Sequence, residues 1–419
     1  LSLHDALPIF LVPFLKYIIK DPVGIDSNQD LINFYLIFLF NTVSSYFVAY
    51  KYSLPNAEQK NYIQSNVITI TKITTTLVQI IVILATSSFY GYLISASVIE
   101  LAQKIFANIY LNHKYPFLKE QNVEKLSKEE TTDIKRKTGA LVCHKVGDVA
   151  RLQTDSIIIS GFINVAMSGV VDNYNLVISS VSNFVNIIFN SVISSFGNLI
   201  ATESKEKQYS MFCIYRFFAS WIYGFSAVGF YILLTPLIRL WLGDKWMLPG
   251  AVTAAILIDY YFKGERVVLS NFKTAAGVFE QDKYLPLVQG AVNLVISIVL
   301  VRRIGLVGVY IGTIISGLLA NFIRPVIIYR VCFERKTAGY FIDAVKYIAV
   351  ILLAGAFCIV CRNIFPENLT ILSFIVMAVI ISVIFNSVFL LFFSRTNEFK
   401  YLYGMFREKI SSMAGKWRK

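Results

Sequence analysis

Long apolar runs recur along the 419 residues from Leu31 to the C-terminal region, and they leave few structures open. Each holds 17 or more residues, enough to cross ~30 Å of hydrocarbon as a helix. Lipid offers backbone N–H and C=O groups no partner, so a spanning segment must close its own hydrogen bonds. Helices do so within one segment, whereas barrel strands would alternate polar and apolar residues. Only 16% of the residues are charged and 56% are hydrophobic, against about 25% charged in soluble domains, which excludes a soluble globule. The expectation is an all-α polytopic membrane protein with spans at 7–19, 31–49, 66–86, 90–111, 141–164, 173–200, 212–234, 251–278, 284–301, 304–329, 342–361 and 370–394.

The one long hydrophilic segment, 112–140, contains KLSKEETTDIKRK and separates four spans from eight. Lys and Arg accumulate in cytoplasmic loops. Placing 112–140 in the cytoplasm puts 22 of them on that side, among them Lys51, Lys128, Lys205, Arg330, Arg335 and Lys336. Only Lys20, Arg239, Lys245, Arg302, Arg303 and Arg362 fall opposite. This asymmetry puts the chain in the cytoplasmic membrane with its C-terminus inside. It also accounts for most of the +13 net charge without nucleic acid as a partner. The tail 395–419 spaces Phe399, Leu402, Tyr403, Phe406, Ile410, Met413 and Trp417 as a helix would, with basic residues between, and reads as an amphipathic helix on the inner leaflet. Gly404 and Gly415 leave a frayed tail as the alternative. The chain opens on Leu1 with no secretory pattern before the span 7–19. Its first ten residues, LSLHDALPIF, resemble a translated sequencing adapter, so His4 and Asp5 receive no functional weight.

Ionisable groups inside a span cost roughly 2.5 to 3.5 kcal/mol each and so face a cavity or a partner. In 251–278, Asp259, Lys263, Arg266, Ser270 and Lys273 fall within about 80° of arc, a single stripe on one helix face, with Glu265 off it. The span from 141 repeats the pattern with Lys145, Asp148, Arg151 and Asp155. Neighbours of opposite sign there can neutralise one another. Glu100 and Lys104 form an i,i+4 pair, while Lys72, Arg216 and Arg324 stand alone in apolar surroundings. Snorkelling to an interface accounts best for Glu100, Lys104 and Arg216. The deep stripe points instead to a water-filled, cation-rich lumen suited to an anion such as a pyrophosphate. Gly308 and Gly312 in GLVGVYIGTIISG make a G-x-x-x-G that permits close helix contact. Pro236, Pro286 and Pro325 lie near or inside spans, where kinks become possible.

No phosphate loop, nucleotide fingerprint, zinc helix or Ser-His-Asp constellation occurs, and the outer loops are short and poor in histidine. The sequence therefore requires no catalytic residue, metal or cofactor. Cys358 and Cys361 form a C-x-x-C in mid-span and, like the other three cysteines, read as small apolar filler.

The runs HKVGDVARLQTDSIIISGFI (144–163), NYNLVISSVSNF, SSFGNLIATESKEK (194–207), RLWLGDKW, FKGERVVLSNFKTAAGVFEQDKYLPL and GVYIGTIISG resemble the polysaccharide transporter or O-antigen flippase family of the multidrug/oligosaccharidyl-lipid/polysaccharide exporter superfamily. The chain departs from that family at Val170 to Asn173, where members place an aromatic before the Asn-Tyr pair of an interhelical turn. The resemblance implies two six-helix lobes around a central cavity plus two extra C-terminal helices. On that pattern 1–10 is an artefactual or frayed start, and 11–111 is the rest of an N-terminal lobe missing its first two helices. The segment 112–140 is then a cytoplasmic linker, 141–331 the C-terminal lobe, 332–394 the extra pair and 395–419 the basic tail. The implied activity is alternating-access flipping of an undecaprenyl-pyrophosphate-linked oligosaccharide for surface polysaccharide assembly, with membrane lipids and polysaccharide assembly proteins as further partners. Lys263, Arg266 and Lys273, then Arg151 and Arg324, are the candidate phosphate-contacting cations. Asp155, Asp148 and Asp259 would orient them or carry a coupling proton or sodium ion. Alternatives are a peptidoglycan-precursor flippase or cation-coupled drug exporter of the same superfamily, a membrane-embedded polymerase or glycosyltransferase, and a scaffold in a capsule-assembly complex. A drug exporter would favour an acidic or aromatic cavity, and this stripe is mainly basic.

Overall fold

The computed structural model of the chain describes residues 27–58, 62–120, 127–132, 154–278, 280–366 and 369–417, together with 12, 13, 15, 19, 60, 134, 135, 138 and 139. The expected start at 1–10, residues 121–126, 133, 136, 137 and 140 of the linker, and Cys143, Lys145, Asp148 and Arg151 lie outside the described residues. The described chain is all-α, without strands. Its long helices are α1 (Asn28–Ala49), α2 (Tyr62–Thr86), α3 (Phe89–Lys114), α4 (Thr154–Phe162), α5 (Val165–Asn190), α6 (Ile193–Thr202), α7 (Lys205–Leu242), α8 (Gly250–Ala275), α9 (Leu285–Ile304), α10 (Leu306–Val331), α11 (Ala338–Arg362), α12 (Ile371–Phe393) and α13 (Asn397–Trp417). Eight helical stretches among the described residues are long and apolar enough to cross a membrane. Two more, α3 and α8, reach 26 residues but are more polar, for they carry the charged residues inside their spans.

Helix ends follow capping chemistry more closely than hydropathy. Where the sequence suggested spans at 141–164 and 173–200, the chain breaks at Asn164, whose side chain accepts from the Met167 backbone N–H at 2.7 Å. This cap starts α5 at Val165, so Val170 to Asn173 lie inside a helix and form no turn. The same stretch breaks again after Asn190 before α6 begins. Likewise α7 exceeds the expected 212–234 at both ends, from its Ser204 cap to Gly243, whose φ of +90° stops it. Its polar first turns remain helical outside the apolar stretch that hydropathy marks.

The chain divides into two compact units, residues 1–134 and 135–419. In the first, α3 packs against both α1 and α2. The α1–α3 seam carries a row of polar contacts between the packing of Phe34 on Phe89 and the apolar cluster of Val48, Ala107 and Leu111. Tyr90 donates to Asp30 at 2.5 Å, Asn41 to Ser97 at 3.0 Å, and Lys104 to Ser44 at 2.9 Å. Lys51, counted among the cytoplasmic-side charges, is buried, and its ammonium donates to Asn108 and Asn112 at 2.5 and 2.6 Å. All these pairs are separated by 56–61 residues, so the two helices run parallel, and α2 makes the crossing that returns the chain. Outward, α2 exposes Ile70, Leu77 and Leu84, as lipid permits.

In the second unit α8 packs against α5, α6, α7 and α10, while α11, α12 and α13 lie on α7. A dense aromatic cluster of Phe189, Phe196, Phe212, Tyr215, Phe272, Tyr329 and Phe333 fills the space between α5, α6, α7, α8 and α10. The α9–α10 hairpin turns at Gly305, φ +61°, a conformation that glycine adopts without strain. Gly308 and Gly312 then bring α10 against α9 backbone. A Cβ on Gly308 would stand 2.5 Å from the Leu300 carbonyl.

Overpacking a close contact of this kind costs about 1–3 kcal/mol. Gly308→Ala is therefore expected to lower the melting temperature of the detergent-solubilised chain, while Gly229→Ala, whose Cβ meets nothing within 4 Å, leaves it unchanged or raises it. Equal melting temperatures for the two variants would show that the hairpin yields at no cost.

Candidate functional site

The charged stripe of α8 is arranged as two carboxylates, each shared by two cations. Asp259 takes Lys263 Nζ at 3.0 Å on one oxygen and Arg266 Nη2 at 3.0 Å on the other. Asp282, from the turn before α9, takes both Lys273 Nζ, at 2.5 and 2.7 Å, and Arg324 Nε, at 3.1 Å. Arg324 reaches back to Ser270 at 2.9 Å and so closes the stripe between α8 and α10. Arg266 is anchored twice, since Nη1 also donates to Asn321 at 2.9 Å. Its guanidinium occupies the space left by Gly317, where a Cβ would approach Nη1 to 2.5 Å. Among the described residues, these ion pairs set four cations against two carboxylates.

Beside this stripe lies a cavity of about 380 Å3, lined by Lys263, Arg266, Ser270, Asn271 and Arg324 with Gln289 from α9, Ser182, Asn186 and Asn190 from α5, and Tyr223 and Tyr260. Among the described residues, its lining contains no carboxylate. Lys263 presents nearly half of its side chain, whereas Arg266 is almost wholly buried and Arg324 largely so. Lys273 is buried in its pair with Asp282 and does not line the cavity. Ser182, Asn186 and Asn190 follow one another at four-residue steps, so one face of α5 supplies amide and hydroxyl groups opposite the cations. That spacing was present in the sequence, masked by the apolar residues around it. Asp282 was missed because it sits in a loop, where a carboxylate alone carries no signal.

Asp155, at the start of α4, has a different setting. Thr313 donates to its Oδ2 at 2.8 Å, and Asn293 donates to that Thr313 hydroxyl at 3.0 Å. Its Oδ1 is buried without a hydrogen-bond partner among the described residues. Thr154 donates to Asn293 Oδ1 at 3.1 Å and Ser297 to the Val309 carbonyl at 3.1 Å, so α4, α9 and α10 meet on oxygen-rich side chains.

Arg216 corrects the snorkelling expectation. It is 3% exposed, its Nε donates to Glu265 at 3.3 Å, and its guanidinium lies 3.5 Å from the Tyr340 ring centre. Glu265 also accepts from Ser220 at 2.6 Å and Tyr340 at 3.3 Å. Its place off the α8 stripe is thereby explained: it turns toward α7 and α11 and not toward the cavity. Lys104 likewise stays inside its unit, bonded to the Asn41 carbonyl and Ser44. Neither Cys358 nor Cys361 is in a disulfide.

These features define a class: a multi-pass helical membrane protein with a cationic, amide-lined cavity among its helices. No protein-family model and no curated protein matches the chain. Among solved structures, the lipid II flippase MurJ in an inward closed conformation is similar over 92% of this chain and 80% of its own, with a TM-score of 0.60 at 16% identity. The chain has that fold. The protein it resembles is a flippase, not an enzyme.

Removing one partner of a buried ion pair costs about 3–5 kcal/mol, whereas replacing both with apolar groups is often neutral. Glu265→Gln is thus expected to lower the melting temperature sharply, and Arg216→Met/Glu265→Met to recover most of the loss. A double variant less stable than Glu265→Gln would mean the pair itself stabilises the fold.

Proposed function

We propose that this chain is a flippase that carries a lipid-linked, diphosphate-bearing sugar precursor across the cytoplasmic membrane, with the cavity of the second unit receiving the diphosphate. The observation that carries the reading is the pairing at Asp259 and Asp282. A diester of pyrophosphate carries two negative charges at neutral pH, and among the described residues the ion pairs of the stripe set four cations against two carboxylates. Lys263 and Arg324 contact the anion, Arg266 supports it from its fixed position, and Asp259 and Asp282 hold these cations in place. Lys273 fixes Asp282. Asn186, Asn190, Asn271 and Gln289 supply donors and acceptors for sugar hydroxyls. The lipid tail stays in the bilayer while the cavity opens alternately to the two membrane faces. Asp155, with one oxygen unmet beside Thr313 and Asn293, is the site of the coupling proton or sodium ion.

The sequence resemblance favours an undecaprenyl-pyrophosphate oligosaccharide as the substrate. The second reading is the peptidoglycan precursor, favoured by the likeness to the lipid II flippase, since both substrates share the diphosphate and differ in the sugar. The intact protein is expected to restore surface polysaccharide in a strain lacking its oligosaccharide flippase and supplied with the matching assembly genes. Restored growth of a strain lacking its lipid II flippase, with no polysaccharide, selects the second reading. Failure of both with protein present in the membrane rejects transport.

Charge-assisted hydrogen bonds contribute roughly 1.5–3 kcal/mol each. Lys263→Gln and Arg324→Gln should therefore weaken transport about tenfold to a hundredfold at limiting substrate, with Arg324→Lys partly restoring it and the loop variant Lys128→Gln inactive as a perturbation. Asp155→Asn should remove the dependence on the coupling ion without changing substrate binding. Equal activity in all these variants and the loop control would end the case for a cationic lumen. The orientation is tested by reporters fused after Lys128 and Lys419, expected in the cytoplasm, and near Asp244, expected outside.

A further inference from the structure

We propose that the junction of α10 and α11 is a binding site for an anionic phospholipid. A cavity of about 500 Å3 opens there, lined by Val326, Arg330, Glu334, Arg335, Lys336 and Thr337. It sets three cations against one carboxylate, and that carboxylate is already engaged, because Glu334 pairs with Lys205 at the start of α7. Arg335 is held in place, its N–H donating to the Tyr329 carbonyl at 3.0 Å and its guanidinium lying 4.3 Å from the Tyr209 ring centre. Arg330 and Lys336 are exposed and have no acidic partner among the described residues. The cluster therefore presents unneutralised charge where helices α10 and α11 emerge.

What lies beneath it distinguishes a lipid site from a patch of solvated charge. Phe322, Val326 and Arg330 follow at four-residue steps, so the cation caps an exposed apolar stripe that runs about 12 Å along α10. Phe322 packs against Phe341 of α11 at 5.7 Å between ring centres, and α11 continues the apolar surface with exposed Ile342 and Val345. An anionic headgroup on the cations with acyl chains along this stripe satisfies both halves, and basic pockets between helices on the cytoplasmic side are suited to such headgroups. Arg324 lies about 120° around α10 from Arg330, so this surface is separate from the cavity at Ser270 and does not depend on the transport reading.

The full chain, delipidated in detergent, is titrated with phosphatidylglycerol, phosphatidylcholine and inorganic diphosphate, and bound lipid is read by native mass spectrometry. Phosphatidylglycerol should bind in preference to phosphatidylcholine. Arg330→Gln/Arg335→Gln/Lys336→Gln should weaken phosphatidylglycerol about tenfold or more, while Arg302→Gln/Arg303→Gln at the far end of the α9–α10 hairpin leaves it unchanged. Val326→Trp, which fills the cavity from its apolar side with every cation kept, should weaken it too. Lys336→Gln alone, at an exposed position, gives a smaller loss and serves if the triple variant is not monodisperse. Unchanged phosphatidylglycerol affinity in the cation variants, or equal affinity for phosphatidylcholine, overturns the proposal. Displacement of phosphatidylglycerol by inorganic diphosphate at matched concentration also overturns it, by showing that the acyl stripe contributes nothing.

Discussion

Charge inside a lipid-facing bundle must be neutralised locally, and in this protein four stripe cations share two carboxylates among the described residues. Water is too scarce to screen a lone cation within a span, so every stripe cation needs a carboxylate or a dipole. Sharing Asp259 between Lys263 and Arg266, and Asp282 between Lys273 and Arg324, gives each of the four an acidic partner. The packing around them follows. Gly317 leaves room for the Arg266 guanidinium, Asn321 fixes its second edge, and α10 is drawn against α8.

The Arg216–Glu265 pair shows the opposite solution. There one cation meets one carboxylate, with Ser220, the Tyr340 hydroxyl and the Tyr340 ring around them. Arg216 Nη2 is buried without a hydrogen-bond partner among the described residues, yet the cluster lies away from the cavity lining and holds α7, α8 and α11 together. Two charged clusters on one helix thus differ in role because they differ in stoichiometry, and the helical offset of Glu265 from the stripe is what separates them.

The helical class and most spans were legible in the sequence, because a run of twenty apolar residues has one stable form in lipid. The α8 stripe was legible for the same reason in reverse, since charge in such a run stands out. Partners were not. Asp282 lies in a turn, and Asn186 and Asn190 are ordinary residues until the fold brings α5 beside α8. Arg216 looked solitary because its partner is 49 residues away on another helix. The helix start at Val165 depended on one side-chain cap at Asn164, a local bond that a hydropathy window averages away.

One further property comes from α7, which runs 38 residues from Lys205 to Leu242. At 1.5 Å per residue it is a rod of about 57 Å, well beyond the hydrocarbon thickness. It carries Tyr223 in the cavity wall and supports α11, α12 and α13 along its flank. A rod of that length would act as a lever: pivoting by about 10° around its middle would sweep each tip sideways by about 5 Å. Small adjustments at the cavity wall would thereby be magnified at the membrane surfaces, and the helices resting on α7 would travel with it.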